Sequence, residues 1–260
     1  MIETNKFEFE ICANSVESCI AAQQAGADRV ELCMGIPEGG TTPSYGEIQM
    51  ARDLLRETKL HVIIRNRGGD FLYTQRELER MAMDIDLCRK IGVDGVVFGC
   101  LTAEGDVDNG ANRFLLEHAT GMSTTFHRAF DRCKEPLKNI ESVISLGFNR
   151  VLTSGQQATA EMGIPLLHQL NNVVGDRIII MAGCGVNENN IKKIQKETGV
   201  RAFHFSAREP KKSQMKYSNP SVFMGNADFD EDTIFETTIN RVRKTIHALR
   251  DYAEYDVRNA

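Results

Sequence analysis

With 260 residues, the chain is long enough for one large α/β domain or two small ones, and length alone does not separate them. Apolar residues make up 42% of the sequence and charged residues 26%, values typical of a folded globular protein rather than a disordered one. The 31 Lys and Arg residues are outnumbered by 36 Asp and Glu residues. The resulting net charge of -5 gives no reason to expect binding to nucleic acid or to an anionic membrane.

Neither a membrane span nor an export signal is predicted. The sequence has no run of 18 apolar residues, and its first ten residues carry three Glu and no apolar stretch. The seven cysteines form no CxxC pair, which argues against a disulfide framework, a zinc ribbon and a thioredoxin-like motif. We therefore expect a cytoplasmic protein.

The chain alternates short apolar segments with amphipathic helical runs, and the first unit sets the pattern. Residues 7–12 alternate in polarity as a strand does, and Asn14 stands three residues before Glu17 in a capping box that predicts a helix start. That helical run ends at Gly26, because glycine adopts the left-handed conformation after a helix without steric strain. A second apolar segment, 29–33, follows at once.

The later units repeat this order along the chain. Capping boxes formed by Ser44 with Glu47 and by Thr74 with Glu77 predict the next two helix starts. The glycines that end later helices are Gly92, Gly121, Gly147, Gly175 and Gly199. The remaining predicted strands are residues 60–65, 95–99, 123–127, 150–154, 177–182 and 202–206.

Eight strands, each followed by a helix, predict a (β/α)8 TIM barrel, an α/β fold that usually takes about 250 residues. A doubly wound open sheet is the alternative, but that fold carries a GxGxxG turn after its first strand, and none follows residue 12. We therefore expect one domain over residues 1–260. A long loop at about 209–229 is expected after the last strand, and a C-terminal helix at about 230–255 would complete the ring.

Charged side chains occupy the strand ends where barrels hold their working residues. Alternation along the first strand places Glu10 with Cys12 on one face and Phe9 on the other, and the apolar face is expected to pack on the helices. By the same parity, the barrel interior also receives Glu31, Arg65 and His127.

Because buried charges need partners, we expect Arg65 to form an ion pair with Glu10 or Glu31. One interpretation is an internal ionic network that fixes strand register and has no other role. The other is a site in which Glu10 or Glu31 is a general base, while Arg65 and His127 hold an anionic substrate or intermediate.

Two cysteines form a second constellation. Cys12 and Cys33 end neighbouring strands with the same parity, and neighbouring strands lie about 4.8 Å apart. Two thiolates so close suit Cu(I) in two-coordinate geometry, whereas zinc takes four ligands. A buried pair of thiols without metal is the alternative, because free cysteine is among the most buried residue types.

Anion binding is predicted in the loops that follow several strands. Arg67 and Asp70 lie at a Gly-Gly turn, and arginine suits a carboxylate or phosphate. The loops after the seventh and eighth strands occupy the place where many barrels hold a phosphate. The predicted anion-binding residues are Arg67, Asp70, Ser154, Gly183, Gly185, Ser206 and Arg208.

The chain resembles the CutC family, described as copper homeostasis proteins. The resemblance rests on EIC at 10–12, GADRVELC at 26–33, EGGTTPS at 38–44, RGGDFLY at 67–73, DGVVFG at 94–99, TFHRAFD at 125–131, VLTSG at 151–155, MK at 215–216 and MG at 224–225. It implies a TIM barrel, copper ligands at Cys12 and Cys33, a cytoplasmic location, and dimers or larger homo-oligomers.

Two functions therefore remain open. The first is a cytoplasmic copper homeostasis protein that binds Cu(I) through Cys12 and Cys33 at the C-terminal rim of the barrel. The second is a TIM-barrel enzyme that acts on a small anionic metabolite, such as a phosphorylated one, through the Glu, Arg and His residues named above. The expected partners are a metal ion or a small anionic ligand and further copies of the chain.

Overall fold

The computed structural model of the chain describes residues 7–219, 221–222 and 230–259, with side chains described as far as residue 251. Eight parallel strands close into one barrel, in which each strand pairs with its neighbours in chain order and β1 pairs with β8. The strands are β1 (Glu8–Ala13), β2 (Arg29–Leu32), β3 (Lys59–Ile63), β4 (Gly95–Phe98), β5 (Ser123–Phe126), β6 (Arg150–Thr153), β7 (Ile179–Gly183) and β8 (Ala202–Phe205). The predicted single-domain (β/α)8 barrel is confirmed.

Within the described ranges, eight α-helices alternate with the barrel strands. They are α1 (Val16–Gln24), α2 (Tyr45–Leu54), α3 (Gln75–Ile91), α4 (Asn109–His118), α5 (Pro136–Leu146), α6 (Ile164–Val174), α7 (Ile191–Thr198) and α8 (Ile239–Asn259). The capping box predicted for Thr74 and Glu77 is present at the start of α3, and Gly92 ends that helix with a left-handed φ of 81°. No helix in the described ranges is long and apolar enough to cross a membrane.

Most of the hydrophobic core lies between the barrel and its helices. Phe9 and Ile11 of β1 are fully buried in that layer, as the alternation along the strand predicts. The barrel interior holds smaller apolar clusters, one of which is formed by Leu152, Met181 and Ala202. Charged and polar side chains take up other interior positions and could form a site at the strand ends.

The C-terminal region differs from the sequence prediction. Instead of a loop throughout 209–229, Arg208–Lys212 forms β9, which pairs antiparallel with β10 (Thr233–Thr237). The last helix begins at Ile239, later than the predicted start near residue 230. The two strands pair only with each other, in a sheet separate from the barrel. The repeating strand–helix pattern that predicts the barrel therefore does not predict them. Residues 220 and 223–229 of the predicted loop lie outside the described residues.

Candidate functional site

A cavity of about 630 Å³ opens at the C-terminal ends of the barrel strands. Its wall includes the ends of β1 and β2, the loops after β3 and β5, and the loops after β7 and β8. This is the face at which barrel enzymes hold their working residues. The predicted site residues that line it are Cys12, Glu31, Cys33, Arg65, His127, Gly185, Ser206 and Arg208.

Cys12 and Cys33, which we call the sulfur pair, lie together in this cavity. Their Sγ atoms are 3.5 Å apart, a hydrogen-bonding distance for two sulfurs. Cys33 Sγ also lies 3.4 Å from the carbonyl oxygen of Ala13, and Arg208 Nη2 lies 4.0 Å from Cys12 Sγ. With one ligand atom from each residue, Cys12, Cys33 and Glu31 form a group within 4.8 Å, compatible with a bound metal ion.

Glu10 lies deeper, fully buried, in what we call the charged network of Glu10, Arg29 and His204. Arg29 Nε donates a hydrogen bond to one carboxylate oxygen of Glu10, and the Nδ1 atom of His204 lies 2.7 Å from the other. Arg29 Nη1 also donates to Glu8 at 3.2 Å. Strand register produces this arrangement, because Glu10 of β1 pairs with Arg29 of β2 on one side and with His204 of β8 on the other.

The charged network fixes the ionisation of its members. Burial alone raises the pKa of Glu10, but the charge of Arg29 and the hydrogen bond to His204 outweigh it and hold that pKa well below its ordinary value. Burial alone lowers the pKa of His204, yet hydrogen bonds to Cys12 and Glu10 and the nearby carboxylates raise it well above the ordinary value. Glu10 is therefore a carboxylate and His204 an imidazolium.

The two thiols differ in their tendency to ionise. The hydrogen bond from Cys33 lowers the pKa of Cys12 well below its ordinary value; burial opposes this, while His204 and the charge of Arg208 contribute to the lowering. The same hydrogen bond, followed by burial, raises the pKa of Cys33 well above its ordinary value. The sulfur pair thus consists of a Cys12 thiolate that accepts a hydrogen bond from the Cys33 thiol.

Glu31 links the charged network to the cavity. Its Oε2 atom lies 3.5 Å from His204 Nε2, while its buried Oε1 atom has no hydrogen-bond partner among the described residues. Burial raises the pKa of Glu31 to about 8; His204 lowers it, and the Cys12 thiolate and Glu10 raise it. Glu31 therefore carries a proton at neutral pH.

The predicted ion pair of Arg65 with Glu10 or Glu31 is wrong. Within the described ranges Arg65 contacts backbone carbonyls instead, with Nη1 donating to Glu38 at 2.7 Å and to Gly40 at 2.9 Å, and Nη2 donating to Gly69 at 2.8 Å. Two of these carbonyl oxygens belong to the loop after β2, which lies against the guanidinium in place of a carboxylate. Arg29, rather than Arg65, forms the ion pair with Glu10.

His127 lines the cavity away from the charged network. Its Nδ1 atom accepts a hydrogen bond from the backbone N–H of Ala129 at 3.3 Å, and its ring lies 5.0 Å from that of Phe71. Burial, followed by the charge of Arg65, lowers the pKa of His127 to about 3, so the imidazole is neutral. We call Arg65 and His127 together the donor wall.

Two of the predicted anion-binding residues, Arg67 and Asp70, lie outside the cavity. Arg67 donates to Glu77 at 2.6 Å and to Asp70 at 3.0 Å, so two carboxylates already meet its charge. Arg67 also donates to the carbonyl oxygen of Leu72 and thereby holds the turn at 68–72. Its contacts are those of a residue that shapes the loop after β3.

Ser154 and Gly183 also lie outside the cavity. Ser154 Oγ donates to the carbonyl oxygen of Gln157 at 2.6 Å, and it lies 3.0 Å from both Arg128 Nη2 and the Asp131 carboxylate. Gly183 is buried in β7, where an added Cβ would lie 2.4 Å from Leu152 Cδ1. This glycine therefore serves the packing of the barrel interior.

Gly185, Ser206 and Arg208 do line the cavity. The carbonyl oxygen of Gly185 accepts hydrogen bonds from Asn187 and Asn190, and that of Ser206 accepts one from Thr237 Oγ1. Both loops are thus held in place by neighbouring side chains. Of the three, Arg208 brings a positive charge to the sulfur pair.

Sequence reasoning missed two residues that the structure brings into or beside the site. Arg29 has the same parity as Glu31 and so carried a signal in the strand pattern. Asp131 belongs to the TFHRAFD motif, and its carboxylate accepts hydrogen bonds from Thr153 Oγ1 and from the N–H groups of Ser154 and Gln156.

Comparisons with known proteins agree on one family. A profile described as CutC family matches residues 7–209. A family protein CutC of Bacteroides thetaiotaomicron is 61% identical over 246 residues, which cover 94% of this chain and 99% of that protein. The human copper homeostasis protein cutC homolog is 42% identical over 246 residues, covering 94% of this chain and 89% of that protein.

A solved structure supports the same relationship. The crystal structure of CutC from Streptococcus agalactiae matches with a TM-score of 0.74 at 35% sequence identity. The match covers 77% of this chain and 98% of that one. Fold and sequence therefore point to the same group of proteins.

Proposed function

The chain belongs to the CutC family, and on that premise we propose that it binds Cu(I) as cargo through the sulfur pair, Cys12 and Cys33. The observation that carries the proposal is the 3.5 Å separation of the two Sγ atoms inside an open cavity. Thiolate sulfur is a soft ligand and favours Cu(I) over harder divalent ions.

The chemistry of the donor set fits this cargo. The Cys12 thiolate is ready to bind a cation, and Cys33 is a thiol whose proton Cu(I) would replace, so binding releases about one proton per ion. Glu31 is a hard oxygen ligand, a poor match for Cu(I), and it holds its proton at neutral pH. The two sulfurs therefore carry the binding.

The distance between the two Sγ atoms implies that one of them moves when Cu(I) binds. A linear two-coordinate ion needs its two sulfurs at twice the metal–sulfur bond length, and with the zinc–thiolate value of about 2.3 Å as a guide that separation is about 4.6 Å. The observed 3.5 Å is shorter and suits a shared proton. When Cu(I) replaces that proton, we expect one of the two Sγ atoms to move away from the other by about 1 Å. The open side of the cavity leaves space for this movement.

A competition titration tests the proposal. Reduced protein is titrated with Cu(I) in the presence of a chromogenic Cu(I) chelator, and the unmodified chain should withdraw about one ion per chain from the chelator. The Cys12→Ser/Cys33→Ser double variant should withdraw none, because a hydroxyl is not a soft ligand.

The matched control replaces two other buried cysteines. Cys19 on α1 and Cys88 on α3 lie in the hydrophobic core, and burial raises the pKa of each to about 12. The Cys19→Ala/Cys88→Ala variant should keep full copper uptake. Equal uptake by the Cys12→Ser/Cys33→Ser variant and the unmodified chain would refute the proposal.

The family resemblance also leads us to propose a cytoplasmic protein that forms homo-oligomers. Light scattering on the purified chain measures the oligomeric state directly. A mass equal to the 29.1 kDa of one chain would contradict the oligomer.

A further inference from the structure

The donor wall holds two buried N–H groups that the fold leaves unused. Arg65 and His127 are each only 4% exposed. Arg65 Nε and His127 Nε2 have no hydrogen-bond partner among the described residues. Leaving such a group unpaired costs about 1–3 kcal/mol, more for a charged group, so each of these two N–H groups calls for an explanation.

The hydrogen bonds of His127 determine which of its ring nitrogens carries the proton. Nδ1 accepts from the backbone N–H of Ala129 and therefore has no proton of its own. The ring is neutral, with a pKa lowered to about 3 by burial and then by Arg65, so the proton is on Nε2. His127 thus presents a neutral N–H donor, held in one orientation.

Arg65 adds an uncompensated charge. Its terminal nitrogens are engaged by the carbonyl oxygens of Glu38, Gly40 and Gly69, which fix the guanidinium but do not neutralise it. No carboxylate of the described residues forms an ion pair with Arg65. A buried cation without a counter-ion attracts an anion strongly.

The wall of the cavity also favours an anion, because most of its charged side chains are positive. Within the described residues it carries five arginines but only two carboxyl groups, Glu31 and Asp131, in a chain whose net charge is -5. Asp131 and Arg128 pair at 2.8 Å and cancel each other, Glu31 holds its proton, and the Cys12 thiolate offsets one further arginine. The cavity is therefore a positively charged region of an acidic protein, and its volume of about 630 Å³ lies in the range of small-molecule sites.

Phe71 packs on both members of the donor wall. The Arg65 guanidinium lies 5.0 Å from the centre of the Phe71 ring, and the His127 ring lies 5.0 Å from it. An aromatic face is a much weaker acceptor than an oxygen atom. A ligand oxygen that displaces this ring gains two hydrogen bonds that the ring cannot match.

We propose that the cavity binds a small organic oxyanion, a carboxylate or a phosphate ester, whose charged oxygens accept hydrogen bonds from Arg65 Nε and His127 Nε2 after Phe71 moves aside. This ligand is separate from Cu(I), because it uses nitrogen donors on the β3 and β5 side of the cavity. The sulfur pair lies on the β1 and β2 side.

A titration of the full-length reduced protein tests the site. Inorganic phosphate and acetate serve as separate probes of the two oxyanion types, at constant ionic strength set by chloride. Binding is followed by calorimetry and by the ring ¹⁵N resonances of His127. At least one probe should bind saturably and shift the Nε2 resonance, and the probe that does so identifies the oxyanion.

Two substitutions of His127 separate its roles. In His127→Asn the side-chain oxygen can still accept from Ala129, but no donor reaches the position of Nε2. In His127→Gln the amide N–H₂ takes that position. We expect His127→Asn to weaken binding by about 10-fold or more, and His127→Gln to stay within about 3-fold of the unmodified chain.

The control is His118→Asn, the same substitution on α4 at a residue that does not line the cavity. It should leave anion binding unchanged. The proposal is overturned if neither probe saturates, if His127→Asn binds as tightly as the unmodified chain, or if Asn and Gln lose binding equally. Because His127 does not contact the sulfur pair, Cu(I) uptake by these variants tests the copper proposal independently.

Discussion

The charged network, on β8, β1 and β2, and the donor wall, after β3 and β5, belong to one barrel but treat their buried polar groups differently. In the charged network, both carboxylate oxygens of Glu10 have partners, Arg29 on one and His204 on the other. In the donor wall, Arg65 and His127 each keep one buried N–H without a partner among the described residues. Both regions are equally buried, so exposure to water does not explain the difference.

This difference separates groups that complete the fold from groups that await a ligand. A buried ion pair whose members satisfy each other is stable only when both remain, because either alone leaves an unpaired charge. A buried donor without a partner gives little to the folded state and gains when an acceptor arrives. We therefore expect substitutions in the charged network to unfold the protein and those in the donor wall to affect binding.

The largest expected effect is on the charged network. Arg29→Met keeps the length of the side chain but removes one of the two cations that meet the fully buried Glu10 carboxylate, the other being His204. We expect the free energy of unfolding to fall by about 3–5 kcal/mol, measured by urea denaturation at neutral pH.

A surface pair supplies the control for Arg29→Met. Arg177 pairs with Glu141 at 2.7 Å, with both side chains 47% exposed. Arg177→Met should leave the urea midpoint unchanged within error, because water screens the pair. If both substitutions shifted the midpoint equally, the charged network would have no special part in stability.

A second effect, spread over several pH units, separates the two regions by the pH dependence of stability. His127 has a pKa of about 3 in the folded chain, against about 6.5 when unfolded, so between these values only the unfolded chain takes up the proton. The free energy of unfolding should therefore fall as the pH drops from about 6.5 to 3, by up to about 1.4 kcal/mol per pH unit from this residue. Above about pH 6.5 the residue adds no slope.

Urea unfolding of His127→Phe over the same pH range measures that contribution. The variant should show a flatter fall than the unmodified chain, though a slope remains from His61, whose pKa is also lowered to about 3 by burial. Identical slopes for the variant and the unmodified chain would mean that His127 has the same pKa in the folded and unfolded chains, which would contradict the lowered pKa.

The smallest effect concerns the stability of the donor wall at neutral pH. His127→Phe leaves the N–H of Ala129 without its acceptor, which destabilises the fold, but it also removes the unpartnered Nε2–H, whose burial destabilises the unmodified chain. Because these two changes oppose each other, the free energy of unfolding should change by no more than about 1 kcal/mol, well below the loss for Arg29→Met. A loss as large as that of Arg29→Met would remove the distinction between the two regions.

Much of the fold was predictable because its signals are local. Glycine ends helices through its own backbone freedom, and Thr74 and Glu77 form a capping box within one turn. The alternation of Glu10 and Cys12 against Phe9 assigned the interior face of β1 correctly. The same parity brought Cys33 next to Cys12.

The partners of the charged residues were not predictable in this way. Alternation gives the face on which a side chain lies but not its neighbour across the sheet, which depends on register. The pairing of Glu10 with Arg29 and with His204 follows from two registers that only the closed barrel sets. Arg65 was assigned the wrong partner because carbonyl oxygens of the loop at 38–40, and not a carboxylate, accept its hydrogen bonds.

The sequence by itself determined the number and order of the barrel strands, the inward face of β1 and β2, and the meeting of two thiols at the C-terminal end of the barrel. These depend on contacts between residues close in the chain. Only the tertiary structure decided which buried groups are paired and which are left open, because a hydrogen-bond partner is a matter of distance between segments far apart in the chain. Glu10 and His204, separated by 194 positions, meet at 2.7 Å, while His127 finds no acceptor for its second nitrogen among the described residues.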